Sequence, residues 1–139
     1  MAALRNNHCE SCRKLRNCAM AEHNDLGNQG EKLAKAHLEA KGYLILAVNW
    51  RSARNELDIV AQQKDIIVFV EVKARATGFF GEPFHAVSRE KQKRTIAAAN
   101  AYMEKNGILL EARFDIISIV LKDDQHRLDH LEEAFYPIA

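Results

Sequence analysis

Long apolar runs, net charge and widely spaced cysteines are all scarce in this 139-residue chain. No apolar run approaches the roughly 18 residues that crossing a bilayer requires, so a membrane partner is not expected. The first residues lack the uninterrupted apolar segment of a secretory signal, which makes the cytoplasm the expected location. Net charge is only +1. Of 20 basic and 19 acidic side chains, residues 1–19 hold four and one, leaving 16 and 18 for the remainder. Such a chain is no general polycation, and binding to nucleic acid would need a local basic surface. Lys73, Arg75, Arg89, Lys91, Lys93 and Arg94 form one such cluster in sequence, opposed only by Glu82 and Glu90.

All three cysteines fall within "HCESCRKLRNC", so no disulfide framework is implied. Cys9 and Cys12 have a zinc-like gap, with Cys18 and His8 or His23 as further candidate ligands, but a second closely spaced ligand pair is lacking. Residues 1–19 therefore read as a disordered or extension segment. A single domain is expected over 20–139, long enough for a real core.

Composition is otherwise that of a globular domain, 47% hydrophobic and 28% charged. Asn24 or Asp25 can cap a helix reaching Lys41. Leu26, Gly30, Leu33, Ala34, His37 and Leu38 recur at helical spacing, and Gly42 supplies the stop. Three β-rich runs follow: "YLILAVNW" (43–50), "ELDIVAQ" (56–62) and "IIVFVEVK" (66–73). Only Lys64 and Asp65 need form the turn between the last two, which predicts a hairpin. "ATGFFGEPFHAV" (76–87) reads as a loop. Ser88 can cap a second helix with a basic first turn and an Ile96, Ala99, Met103 stripe, stopped at Gly107. "RFDIISIVLK" (113–122) is a strand, "DDQH" a turn, and "RLDHLEEAFYPIA" a last strand. The order α-β-β-β-α-β-β describes an α/β domain with a mixed sheet.

Charge interrupts two of these strands. Alternation places Glu56, Asp58 and Val60 on one face of the first, and Phe69, Glu71 and Lys73 on one face of the second. A turn at Lys64-Asp65 sets Asp58 opposite Glu71, with Cβ atoms roughly 5 Å apart. Two carboxylates at that distance repel, and one resists ionisation. A hard divalent cation such as Mg²⁺ removes the conflict. Lys73, on the same face, could orient or deprotonate a metal-bound water or neutralise a phosphate. The alternative is an ion-pair cluster on a solvated face, each pair contributing a few tenths of a kcal/mol. Glu31, on the flank of the first helical stripe, could reach the same place or be a surface carboxylate. Lys91, Lys93 and Arg94 sit at a helix N-terminus that favours anions, or form a solvated face. Arg113 and Asp115 are expected to pair structurally.

The spacing from Asp58 to Glu71 and Lys73 resembles the PD-(D/E)XK nuclease superfamily. "GNQGEKLAKAHLEAKGYLIL", "NWR", "NELDIV", "VFVEVKAR", "FGEPFHAV", the Lys91 helix and "RFDIISI" together resemble the YraN family of bacterial proteins, over about residues 27 to 119. The family usually has glycine where Asn55 stands, a mild departure because Asn tolerates positive φ.

That resemblance implies a restriction-endonuclease-like fold, a mixed central sheet flanked by helices, related to Holliday junction resolvases. It makes Glu31, Asp58, Glu71 and Lys73 the candidate catalytic residues. Asp58, Glu71 and the Val72 carbonyl would hold Mg²⁺ or Mn²⁺, and Arg75, Lys91, Lys93 and Arg94 would contact phosphates. The expected activity is metal-dependent hydrolysis of DNA, branched DNA included, by a protein that could act as a homodimer. Two other readings stay open. One is a nucleic-acid-binding protein without catalysis, and the other is a protein-interaction module with a structural ion-pair cluster.

Overall fold

The computed structural model describes residues 25–76 and 87–137. Helix α1 covers residues 25–40. It is followed by β1 (Leu44–Ser52), β2 (Asn55–Gln63), β3 (Ile66–Ala76), α2 (Arg89–Lys105), β4 (Glu111–Lys122) and β5 (Gln125–Phe135). The cysteine segment, the Asn24 cap and nearly all of the expected 76–87 loop lie outside the described residues. Among those described, no helix is long and apolar enough to cross a membrane.

Both helices stop where a glycine permits a left-handed backbone. Gly42 has φ +89° and Gly107 has φ +62°. Each stop is closed by paired capping bonds: Tyr43 N–H to the Leu38 carbonyl at 3.0 Å, and Ile108 N–H to the Met103 carbonyl at 2.9 Å. Ser88 caps α2, its hydroxyl accepting from the Lys91 amide at 3.2 Å.

The strands lie in sequence order in one sheet. Every neighbouring pair is antiparallel except β3 and β4, which run parallel and are joined through α2. The result is a mixed α/β architecture of the restriction-endonuclease-like kind, with a helix on each face. On one face Ala34 and Leu38 of α1 bury against Ile59, Val68, Val70, Ile117 and Ile119. On the other, Ala98, Ala99 and Tyr102 of α2 bury against Val60, Ile67, Phe69, Phe114 and Ile116. Phe69 stacks on Phe114 at 5.5 Å and meets the Tyr102 ring edge-on at 6.2 Å. Burying each large side chain here contributes about 2 kcal/mol.

Strand ends differ from expectation because ladder bonds extend past the apolar runs. β3 continues to Ala76, and β5 begins at Gln125, leaving only Asp123-Asp124 as its turn. Asp123 takes φ 52° there, which aspartate tolerates.

A buried polar network fixes the far end of α1 to the sheet. Asp115 is fully buried and accepts two bonds from Arg113, Nε and Nη2, each at 2.9 Å. Arg113 also donates to the Tyr43 hydroxyl at 2.6 Å. His130 Nε2 lies 2.7 Å from Asp115 Oδ2. An ionised carboxylate only accepts, so that nitrogen carries the proton, and the other ring nitrogen, Nδ1, lies 3.3 Å from His37 Nε2 of α1. Burial pushes the Asp115 carboxyl up, but bonds from His130 and Arg113 and the guanidinium charge outweigh it. The net effect holds Asp115 below its usual value. Arg113 and Asp115 form the structural pair that the sequence led us to expect.

Candidate active site

The paired part of the β2–β3 hairpin runs from Gln63 opposite Ile66 to Ile59 opposite Val70, the register that a turn at Lys64-Asp65 requires. The next residue, Asp58, lies beyond these pairs. Its Oδ2 accepts from the Val72 amide at 2.9 Å, so a side chain serves the amide where the paired ladder ends. Packing shows the same irregularity. Leu57 and Val60, three residues apart, both join the cluster under α2, whereas Ile59 joins the one under α1. Strict alternation is therefore interrupted around Asp58, and the expected single charged face becomes a cluster at the end of the hairpin ladder.

Charges converge on Asp58 from both sides. Burial first, and then the negative charge of Glu71, push its carboxyl up to about 7. The Val72 bond and the Lys91 ammonium pull it down, and Glu31 adds to the rise. Glu71 is buried and turns toward α2, where its Oε1 lies 3.5 Å from Lys91 Nζ. Lys91, a candidate phosphate contact, is half-buried against this acid.

A cleft of about 430 Å³ opens between the first turns of α1 and the end of β3. Glu31, Asp58, Val72, Lys73, Arg75 and Ser118 line it. Lys73 is half-buried and Arg75 exposed, whereas Lys93 and Arg94 are exposed on α2 and do not border this cleft. Gly30 allows α1 to sit so close. A Cβ at that position would lie 2.5 Å from Ala74 Cβ on β3. The close approach carries Glu31, the next residue, to the cleft wall.

Asn49 plays a part that the sequence did not reveal. It takes φ 52° inside β1, and its Nδ2 donates to Glu31 Oε2 at 2.7 Å. The available signal was an asparagine in the middle of a strand, where β-propensity disfavours it. Ser118, buried at the cleft, was likewise unremarked within an apolar strand.

The donor set suits a hard cation in kind. Burial, and then the repulsion of Glu71, raise Asp58 to about 7, and a divalent ion relieves that repulsion. Among the described residues no three His, Cys, Asp or Glu side chains converge on one point. A cation here would therefore rely on Asp58, Glu71, a backbone carbonyl and water, which matches the sparse protein ligation of Mg²⁺.

Known proteins extend this picture. The chain is 50% identical over 118 residues to a UPF0102 protein of Bacteroides thetaiotaomicron, covering 85% of this chain and 98% of that one. It is 45% identical over 118 residues to a counterpart from Phocaeicola vulgatus, with the same coverage. A Porphyromonas gingivalis relative is 47% identical over 118 residues, or 84% of this chain and 87% of the relative. The profile of the Uncharacterised protein family UPF0102 matches residues 30–119, a span that holds α1 from its glycine contact onward and every cleft acid. With that match and these relatives, the chain belongs to UPF0102, the YraN family to which its motifs pointed.

Proposed function

We propose that this protein is a metal-dependent endonuclease-like hydrolase acting on DNA, with branched DNA as its expected substrate. The observation that carries the reading is the state of Asp58. It is a half-buried carboxylate at the wall of an open cleft, raised to about 7 by burial and by Glu71. Groups displaced so far from their ordinary values concentrate at functional sites.

In this reading Asp58, Glu71 and the Val72 carbonyl hold Mg²⁺ or Mn²⁺. When bound, such an ion supplies Lewis acidity and an acidified water. Lys73, bordering the cleft, orients the attacking water and offsets charge on the phosphate. Glu31, held by Asn49, completes the acidic wall. Lys91 neutralises Glu71 and restrains the rise at Asp58. Arg75, Lys93 and Arg94 provide phosphate contacts at the periphery. The cytoplasm is the compartment in which such a substrate is met, and a homodimer is the assembly the branched-DNA reading favours.

A second reading has its own observation. Glu71 already has a cationic partner in Lys91 at 3.5 Å, as a structural ion-pair cluster would. The protein would then bind nucleic acid without cleaving it, or serve as a protein-interaction module. Calorimetric titration of Mg²⁺ and Mn²⁺ into the wild type and Asp58→Asn separates these readings. Equal affinity in both would sink the metal site. Incubation of labelled branched and duplex DNA with either metal then tests catalysis. Cleavage lost in Lys73→Ala with binding retained supports the enzyme, and binding without cleavage under either metal supports the rival.

A further inference from the structure

A second concavity lies along α2, on a stripe of that helix turned away from Lys91. It has a volume of about 580 Å³ and is lined by Arg89, Gln92, Lys93, Ile96, Asn100 and Tyr136, with Ala97 completing the floor. The helical repeat explains its composition. Arg89, Lys93, Ile96 and Asn100 follow one another three or four residues apart, so they share one stripe of α2. Lys91, two residues from both Arg89 and Lys93, faces the other way, toward Glu71. The far wall is the segment just after β5. Phe135 is buried and stacked on Phe114 at 5.1 Å, which turns its neighbour Tyr136 outward, 61% exposed. The Tyr136 hydroxyl donates to Glu133 Oε2 at 3.2 Å, which restrains the ring by its tip and leaves its faces uncovered by that bond.

The lining is chemically selective. Among the described residues it contains two cations, two carboxamides, an aliphatic floor and an exposed phenol, and no carboxylate. Among the described residues neither Arg89 nor Lys93 has an ion-pair partner, whereas Lys91 between them is neutralised. A ligand matching this set has an anionic group for Arg89 and Lys93, a flat face for Tyr136, and hydrogen-bonding edges for Gln92 and Asn100. A nucleotide unit of an unpaired strand has all three. The size also agrees, since sites for small planar ligands fall in the range of about 300–1,000 Å³.

We infer that this groove binds an unpaired segment of a nucleic-acid strand, with phosphate at Arg89 and Lys93 and a base stacked on Tyr136. The inference deepens the nucleic-acid reading and requires no cleavage. A strand held there meets none of the residues that line the carboxylate cleft. It is therefore positioned as flanking substrate, outside the point of attack.

The test is fluorescence anisotropy with the full chain and no divalent metal, so that an inactive acidic cleft does not affect the outcome. The probes are a short labelled single-stranded DNA, its RNA counterpart, the matching duplex, a mononucleotide and an acidic peptide. Arg89→Ala with Lys93→Ala should weaken single-strand binding about tenfold or more and flatten its dependence on salt. Tyr136→Ala should weaken it about tenfold while changing duplex binding less, and Tyr136→Phe, which keeps the ring, should bind as wild type. Circular dichroism melts establish that these surface variants are folded. The inference is overturned if no single strand binds at low salt, if both alanine variants bind like wild type, or if the mononucleotide binds as tightly as the strand. Preference for an acidic peptide over either strand also overturns it. Failure of the endonuclease reading would appear elsewhere, as absent cleavage or unchanged metal titration in Asp58→Asn, with the groove variants still impaired.

Discussion

The amide of Val72 donates to a carboxylate oxygen of Asp58 at 2.9 Å. This bond favours the ionised carboxylate, yet burial and Glu71 outweigh it and the group is raised to about 7. Between its ordinary value of 3.8 and about 7, the folded protein therefore holds a proton that the unfolded chain has released. Stability attributable to Asp58 falls as pH rises through that window, and the full cost is present above it.

Asp58→Asn should accordingly stabilise the protein in mild alkali. The amide oxygen can still accept from Val72, but it cannot ionise. An increase of roughly 1–3 kcal/mol is expected at about pH 8, vanishing near about pH 4. Denaturant titrations at the two pH values measure it. A stabilisation independent of pH would contradict the raised carboxyl.

Lys91 is the cation that restrains Asp58. Replacing it by methionine should move the Asp58 ionisation to still higher pH, visible in the carboxyl carbon signal of a labelled sample. Any divalent-metal affinity at neutral pH should fall with it, because the ligand must first lose its proton. An unmoved titration would show that the two groups are uncoupled.

Much of the frame was readable from residue order. The Ser88 cap, the stops at Gly42 and Gly107, and the hairpin register around Lys64-Asp65 are local features, decided by a few neighbouring residues. Misjudged features were those that depend on where a ladder ends or on distant packing. Alternation presumes continuous pairing, so it could not show Asp58 bonding Val72 beyond the paired ladder. Lys91 looks solvated in a basic helical turn, and only docking of α2 brings Glu71 within 3.5 Å. The Asn49 bond to Glu31 joins β1 to α1, and the misplaced asparagine marks the position without naming its partner.

Gly30→Ala should push α1 away from β3. Alanine normally favours a helix by about 1 kcal/mol, but the added methyl would sit 2.5 Å from Ala74 Cβ. A net loss of roughly 1–3 kcal/mol is expected. In an Ala74→Gly background the same substitution should become neutral or favourable. A double-mutant cycle that shows simple additivity would rule out the contact as the cause.

Removing Arg113 strands a buried charge. Arg113→Met should cost about 3–5 kcal/mol near neutrality, because Asp115 loses both guanidinium bonds. Asp115 is held below 3.8, so its stabilisation is present above that value and fades as pH falls through the folded one. The gap between variant and wild type should therefore narrow in strong acid. Chemical denaturation across pH measures both effects.

The parallel pairing of β3 with β4 also governs how the chain reaches this state. That ladder joins Ile66 to Glu111 at one end and Ala76 to Leu121 at the other, so every contact in it spans the whole segment that carries α2. The β2–β3 hairpin is local and can form early, whereas the central pairing must await a long closure. Glu71 meets Lys91 across a much shorter stretch of chain, so the ion pair beside the acidic cluster does not depend on that long closure.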